Sequence, residues 1–418
     1  MTKKAIIFIF WFVSFFSFTQ ELIVNDLKIQ GNTKLKTSFI KSISNIKPGK
    51  VLDSVIIEQD ILRLKRLPSV SHAYYQVFHS ADNQYNVFYN IEENLTLIPS
   101  ANVFTTNDDE FAYRLGLYEF NLFGRNIAFG GFYQKDIYDS YALNLRAPYL
   151  FSNKFGLAVN FQNLTTLEPV FFPDETANYR YNNKSFEVLG LCEINFKNRF
   201  ELGLNYFTED YRFKGENINN RPELNIHKWL LKGIYEYNTL DYFYQYVSGF
   251  RSLFNFQYVT STNDILPDFF IGWNDFFLFK RVGKKGNLAN RLRLGLSNND
   301  DTPFAPFSVD NNLNIRGVGN IIDRGTGVIV LNTEYRYTLY EKNWFVLQGN
   351  AFVDSGSWRN PGGDFGDFGN AQNIRIYPGV GLRFIHKKIY NAIFRIDYGH
   401  GITEDATQGF VFGIGQYF

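Results

Sequence analysis

Ile329-Val330-Leu331-Asn332-Thr333-Glu334-Tyr335-Arg336-Tyr337 sets the period for most of this chain. Successive side chains of a strand point to opposite sides. Ile329, Leu331, Tyr335 and Tyr337 therefore share one face, and Val330, Asn332, Glu334 and Arg336 share the other. A soluble sandwich also alternates, but it packs aliphatics inside and polar groups outside. Here the polar face carries Arg, Glu and Asn together, which suits a hydrated interior. The aromatic face suits lipid with rings at its interfaces.

The same period extends in both directions. Leu292, Leu294 and Leu296 alternate with Arg291, Arg293, Gly295 and Ser297. Phe155, Leu157, Val159 and Phe161 alternate with Gly156, Ala158, Asn160 and Gln162, and Tyr141, Leu143, Leu145 and Tyr149 behave alike. Such segments between Ser100 and Phe418 number about 16, an even count as outer-membrane barrels have. Composition agrees: 45 Phe and 27 Tyr in 418 residues go with a mean hydropathy of only −0.22, as expected where lipid-facing and water-facing residues alternate. The expected fold class is thus mainly β, a transmembrane antiparallel barrel over 96–418. Leu167–Arg180, Asn217–Asn225 and the Asp364–Asp367 stretch read as loops; the last lacks EF-hand spacing.

Before Pro99 the pattern differs. Lys3 and Lys4 followed by the apolar run Ala5–Phe16, with Ser17 and Thr19 as small residues, read as a secretory signal over 1–19. Residues 20–95 read as a compact α/β unit. Leu22–Gln30 forms a strand, Thr37 caps a short helix with Phe39, Ile40 and Ile43, and Pro48-Gly49 ends it. Asp53 caps a second helix, and Val70–Phe78 and Tyr85–Ile91 are strands around Ala81-Asp82-Asn83.

Several function classes fall away. Lys+Arg 42 against Asp+Glu 41 leaves no basic stripe, so no nucleic acid is expected. The one cysteine, Cys192, excludes an internal disulfide and a cysteine metal cluster. The 5 histidines are scattered and no H-E-x-x-H or G-x-S-x-G occurs, so neither enzyme, cofactor nor metal is expected.

The strand-helix-helix-strand-strand order, with Gly31-Asn32-Thr33 after the first strand and Leu67-Pro68-Ser69-Val70 after the second helix, resembles a POTRA domain. Three barrel stretches extend the resemblance. Asn121-Leu122-Phe123-Gly124-Arg125 is an early hairpin turn, soon followed by Arg146-Ala147-Pro148-Tyr149-Leu150-Phe151. Leu313-Asn314-Ile315-Arg316-Gly317-Val318-Gly319 lies between apparent strands 11 and 12. Phe352-Val353-Asp354-Ser355-Gly356 lies on apparent strand 13. Together they resemble the BamA/TamA and two-partner secretion transporter superfamily, the bacterial surface antigens. The resemblance implies an outer-membrane protein whose soluble domain lies in the periplasm and receives unfolded or secreted client polypeptides, with periplasmic or lipoprotein accessory subunits as a further partner class. It implies a sixth loop folded into the lumen. Asp354, in phase with Gln348 and Asn350, and Glu334 both face inward, so Arg316 is expected to meet Asp354 first and Glu334 second, with Gly317 and Gly319 allowing the close turn. Phe410, Phe412, Ile414 and Phe418 are expected on one face of a last strand resembling the outer-membrane assembly signal. The function the resemblance implies is insertion of proteins into the outer membrane or translocation of polypeptide across it, with a passive pore or secretion of one dedicated partner as the alternatives.

Overall fold

The computed structural model describes residues 21–105, 111–171, 176–215, 223–262, 266–299, 305–310, 314–319, 323–404 and 406–418. Residues 1–19, expected as a secretory signal, and most of the expected Asn217–Asn225 loop lie outside these residues.

The N-terminal unit runs β1 (Ile23–Gln30), α1 (Thr37–Ile43), α2 (Ser54–Lys65), β2 (Val70–Ala81) and β3 (Gln84–Glu93), with sheet order β1-β3-β2. β1 pairs parallel to β3, and β2 antiparallel to it. Val24, Leu27, Phe39, Ile40, Ile43, Ile57, Leu64, Val87 and Ile91 form its apolar core. Asp53 caps α2, accepting from the N–H groups of Val55 and Ile56, which fixes orphan donors of the first turn. Two local expectations change. Thr37 is the first residue of α1, not its cap; Lys36 holds the cap position, and the Thr37 hydroxyl accepts from Asn32 Nδ2 at 3.0 Å. α1 also ends at Ile43, well before Pro48-Gly49. The Gly31-Asn32-Thr33 turn is held by Glu93, whose carboxylate accepts from the N–H groups of Thr33 (2.8 Å), Lys34 (2.9 Å) and Leu35 (2.8 Å). Burial alone would raise the Glu93 pKa, but these donors outweigh it and hold the carboxyl below its usual range.

The barrel follows: β4 (Leu97–Thr105), β5 (Phe111–Leu122), β6 (Ile127–Lys135), β7 (Asp139–Ala147), β8 (Phe155–Phe171), β9 (Thr176–Asn195), β10 (Asn198–Phe213), β11 (Leu224–Asn238), the short β12 (Asp241–Phe243), β13 (Tyr246–Ser261), β14 (Phe269–Val282) and β15 (Gly286–Ser297). After a small hairpin, β16 (Phe307–Val309) and β17 (Asp323–Gly325), come β18 (Gly327–Lys342), β19 (Phe345–Arg359), β20 (Ile374–His386), β21 (Ile393–His400) and β22 (Gln408–Ile414). Without β12 and the hairpin, 16 strands close into one antiparallel barrel. Leu167–Arg180 is largely wall rather than loop, since β8 and β9 extend through it with Leu167 opposite Arg180. The Asp364–Asp367 stretch folds as short 3-10 turns, with Asp364 capping Gly366 and Asp367 accepting from the Asn360 N–H.

The alternation decides which way each residue faces. In β18, Ile329, Leu331, Tyr335 and Tyr337 are exposed on the outside, while Asn332, Glu334 and Arg336 are buried inside. Tyr149 leaves this pattern: β7 ends at Ala147, and Tyr149 turns under the barrel to pack on Phe39 of the soluble domain, ring centroids 6.1 Å apart.

The wall is uneven. β8, β9 and β10 have 17, 20 and 16 residues, against 9 in β4 and 7 in β22. Closure falls between β4 and β22. The two are hydrogen-bonded neighbours there, and the adjoining β4–β5 and β21–β22 junctions run antiparallel over 9 and 7 residue pairs.

Candidate functional site: a loop arginine in the lumen

Between β15 and β18, residues 314–319 lie inside the barrel and bring Arg316 against the inner wall, fully buried. Arg316 Nε donates to Asp354 Oδ2 at 2.8 Å and Nη2 to Asp354 Oδ1 at 3.0 Å. The Arg316 backbone N–H adds a third bond to Asp354 Oδ2, at 3.0 Å. Nη1 pairs with Glu334 Oε2 and lies 3.6 Å from Asp397 Oδ1. This is the two-pronged geometry for which a guanidinium is shaped and an ammonium is not. The flat faces are used too: Phe352 lies 3.6 Å and Tyr417 4.5 Å from the guanidinium carbon.

Glycines make the approach possible. Gly317 has φ 98, and a Cβ there would sit 2.6 Å from the Gly399 carbonyl oxygen on β21. Any side chain would push the loop off the wall. Gly319 also has positive φ but open space around it. Val318 and Ile315 are buried in an apolar cluster with Val309, Val328, Trp358 and Tyr377, which fills the lumen beside the arginine.

Asp397 and three further arginines complete the network. Arg383 Nη1 donates to Asp397 Oδ1 at 2.7 Å, Arg395 lies 3.5 Å from Asp397 Oδ2, and Arg336 Nε donates to Glu334 Oε1 at 2.6 Å. Each buried charge therefore faces an opposite one, the condition under which charges survive in a low-dielectric interior. Sequence reasoning missed Asp397; its signal was the in-phase pair Arg395 and Asp397 in Ile393–His400.

The last strand departs from expectation. Phe410 and Phe412 are exposed on the outer face. β22 stops at Ile414, and a left-handed turn at Gly415 (φ 89) resets the phase. Gln416 then accepts from Arg383 at 3.3 Å, Tyr417 stacks on Arg316, and Phe418 packs inside near Leu240, Phe279 and Ala289. Phe418 thus does not share the face of Phe410 and Phe412.

The early turn motif serves the other end. Asn121 Oδ1 accepts from the Asn126 N–H at 2.9 Å, closing the β5–β6 turn, and the Gly124 carbonyl accepts from the Lys36 N–H at 2.9 Å. Gly124 has φ 67, and a Cβ there would meet the Lys34 carbonyl oxygen at 2.4 Å. The turn is therefore a seat for the soluble domain.

A small sheet-and-two-helix domain seated on a 16-stranded barrel, with an arginine loop pinned inside the lumen, defines the class. Residues 22–94 match the family model described as POTRA, surface antigen variable number repeat. The structure is similar to BamA from Haemophilus ducreyi lacking POTRA domains 1–3, at 15% identity and TM-score 0.57, covering 94% of this chain and 84% of that one. It is also similar to CdiB from Acinetobacter baumannii (14%, TM-score 0.61, 94% and 73%) and CdiB from Escherichia coli (12%, TM-score 0.63, 94% and 75%). No curated protein matches the sequence. Residues 22–94 thus match a POTRA domain, and the chain shares the fold of the BamA and CdiB structures.

Proposed function

We propose that this protein inserts polypeptides into the outer membrane or moves them across it, with the POTRA domain in the periplasm as receiver. The uneven wall carries this reading. At about 3.3 Å per residue, the 7 residues of β22 cover about 23 Å of path, and the 20 of β9 about 66 Å. A tilted strand of 7 residues falls short of the roughly 25 Å apolar band that a bilayer demands. The seam is thus where the wall is shortest and where a strand edge, once parted, can template a client strand. The lumen beside it is packed by the loop and its apolar cluster, which suits a braced translocator better than a standing water channel. The POTRA sheet offers an edge as well. β2 is an outer strand, and the opposite edge at β1 is covered by residues 49–52 through the Val24 N–H to Lys50 and Gly49 N–H to Val24 bonds.

The test is deletion of the gene and comparison of the outer-membrane and secreted proteomes. A broad fall in barrel proteins makes it an assembly factor, and loss of one secreted or surface protein makes it a dedicated transporter. No change in either, with steady conductance in planar bilayers indifferent to Arg316→Ala, refutes both.

A further inference from the structure

The outer face of β5, β6 and β7 carries a notch. Leu117, Gly131 and Leu143 lie side by side there in register, and only the middle one lacks a side chain. Phe129 and Tyr133 flank Gly131 along β6, and all four neighbours are exposed on the outside. They border an apolar hollow of about 630 Å³, the size of a small-ligand site. The wall itself keeps the hollow open. A Cβ on Gly131 would sit 2.1 Å from the Ala142 carbonyl oxygen, so no other residue fits that position without moving backbone.

The two ends of this face treat charge differently. Near the β6–β7 turn, Asp139 pairs with Lys135 at 3.1 Å and accepts from the Tyr133 hydroxyl at 2.5 Å. At the other end Glu119, opposite Phe129, shares the outward phase of Leu115 and Leu117 and borders the hollow. One of its oxygens accepts from the Asn121 N–H at 2.6 Å, and among the described residues no cation pairs with it. Glu119 lies just before the β5–β6 turn, the end seated on the POTRA domain. A carboxylate at that level of a bilayer meets the negative phosphates of the periplasmic leaflet, which repel it.

We infer that the notch binds one lipid of the periplasmic leaflet whose headgroup carries an ammonium, with an acyl chain in the hollow and the ammonium on Glu119. The inference rests on the outer-membrane placing above. Acyl chains touch every part of a barrel wall, but here two features coincide: a hollow walled by leucine and aromatic side chains, and a lone carboxylate two residues along the strand. Two residues of strand cover about 7 Å, which sets the carboxylate at the headgroup end and the hollow at the chain end of a single lipid. An ammonium supplies the N–H donors and the positive charge that Glu119 lacks within the chain. Leu97 of the seam strand β4 also lines the hollow, so the lipid lies beside the closure.

The experiment places the purified protein in phosphatidylglycerol nanodiscs doped with a lipid that carries a photoreactive acyl chain. The probe is phosphatidylethanolamine, phosphatidylcholine or phosphatidylglycerol, and adducts are mapped by mass spectrometry. The ethanolamine probe should label Phe129, Tyr133 and Leu143 about fivefold more than the exposed Leu294 and Leu296 of β15, the effect of one exposed ion pair. The choline and glycerol probes should show no such excess, since neither headgroup donates an N–H. Glu119→Gln should bring ethanolamine labelling down to the choline level. Leu143→Trp, which fills the hollow, should remove the excess at Phe129 and Tyr133, and Leu294→Trp should leave it. Equal labelling by all three headgroups, or an excess that survives Glu119→Gln, overturns the inference. A notch free of adducts on a labelled wall overturns it too, and means that another protein surface covers the notch. Adducts nowhere on the wall sink the membrane placing along with it. The headgroup comparison uses the unaltered chain, so it decides even where Leu143→Trp fails to fold.

Discussion

Two buried arginines join separate pieces of this chain to the barrel wall, and they do so differently. Arg316 brings a loop to the lumen and meets Asp354, Glu334 and Asp397 between two aromatic rings. Arg63 brings the POTRA domain to the floor and meets Asp60 and Glu193. The partners of Arg63 are well provided without it. Asp60 accepts from the N–H groups of Asn45 and Ile46 and from the Tyr89 hydroxyl, and Glu193 has Tyr149 and Arg199. Asp354 is less well served, since beyond Arg316 its side-chain partner is Asn332. Asp354 thus relies on a single cation, whereas each carboxylate of the floor joint has several donors.

The largest expected effect follows. Arg316→Ala leaves the Asp354 carboxylate buried without a cation, and breaking such a pair costs about 3–5 kcal/mol. The loop should leave the wall, read as rapid protease cleavage near 314–319 in assembled protein. Arg316→Lys should recover only part of the protection, because an ammonium cannot grip Asp354 with a fork. Arg63→Ala should cost less, about 1–3 kcal/mol, the range for losing bonds to charged groups whose other partners remain. Faster hydrogen exchange in α2 and in the turn after β9 is the measure. Equal costs for the two would break the comparison and mean that Asp60 and Glu193 are not sustained by their other donors.

The two joints also differ in how far they could be read in advance. Strand period two placed Glu334 and Asp354 on the inner face, and the resemblance of residues 313–319 to a lumen loop pointed Arg316 at them, which made that site legible. The floor joint was not. Arg63 and Glu193 are 130 positions apart, and helical spacing says only that Arg63 follows Asp60 by one turn. Nothing local says that a turn after β9 will lie beneath α2. Phe418 shows the same limit. A strict alternation puts it outside, and one left-handed residue, Gly415, sends it in. The Asn121–Arg125 turn was visible as a turn, but its role as the seat of Lys36 appears only when the domain is in place.

That seat gives a smaller effect. Gly124→Ala places a side chain on left-handed backbone, which costs about 1–2 kcal/mol, and aims its Cβ at the Lys34 carbonyl. The Lys36 amide, which bonds to Gly124, should lose exchange protection while the Arg316 loop keeps its own. Loss at both sites would mean that floor and lumen form one cooperative unit.

The smallest effect separates the domain from its seat. Glu93 holds the Thr33–Leu35 turn, which leads into the Lys36 contact, and its pKa is depressed in the folded protein. A depressed carboxyl contributes fully above its unfolded value of about 4.3, and that contribution fades as pH falls through the lower folded value. Glu93 is partly exposed, so water screens it and the effect should stay below about 1 kcal/mol. Exchange protection at the Lys34 and Leu35 amides should therefore be flat above pH 5 and fall as acid is added. Glu93→Gln should lower the plateau and remove the slope. Arg316 and its carboxylates pair inside the wall without Glu93, so protection at the loop should not follow this titration. If it does, acid reaches the lumen network through the domain, and the two joints are not independent.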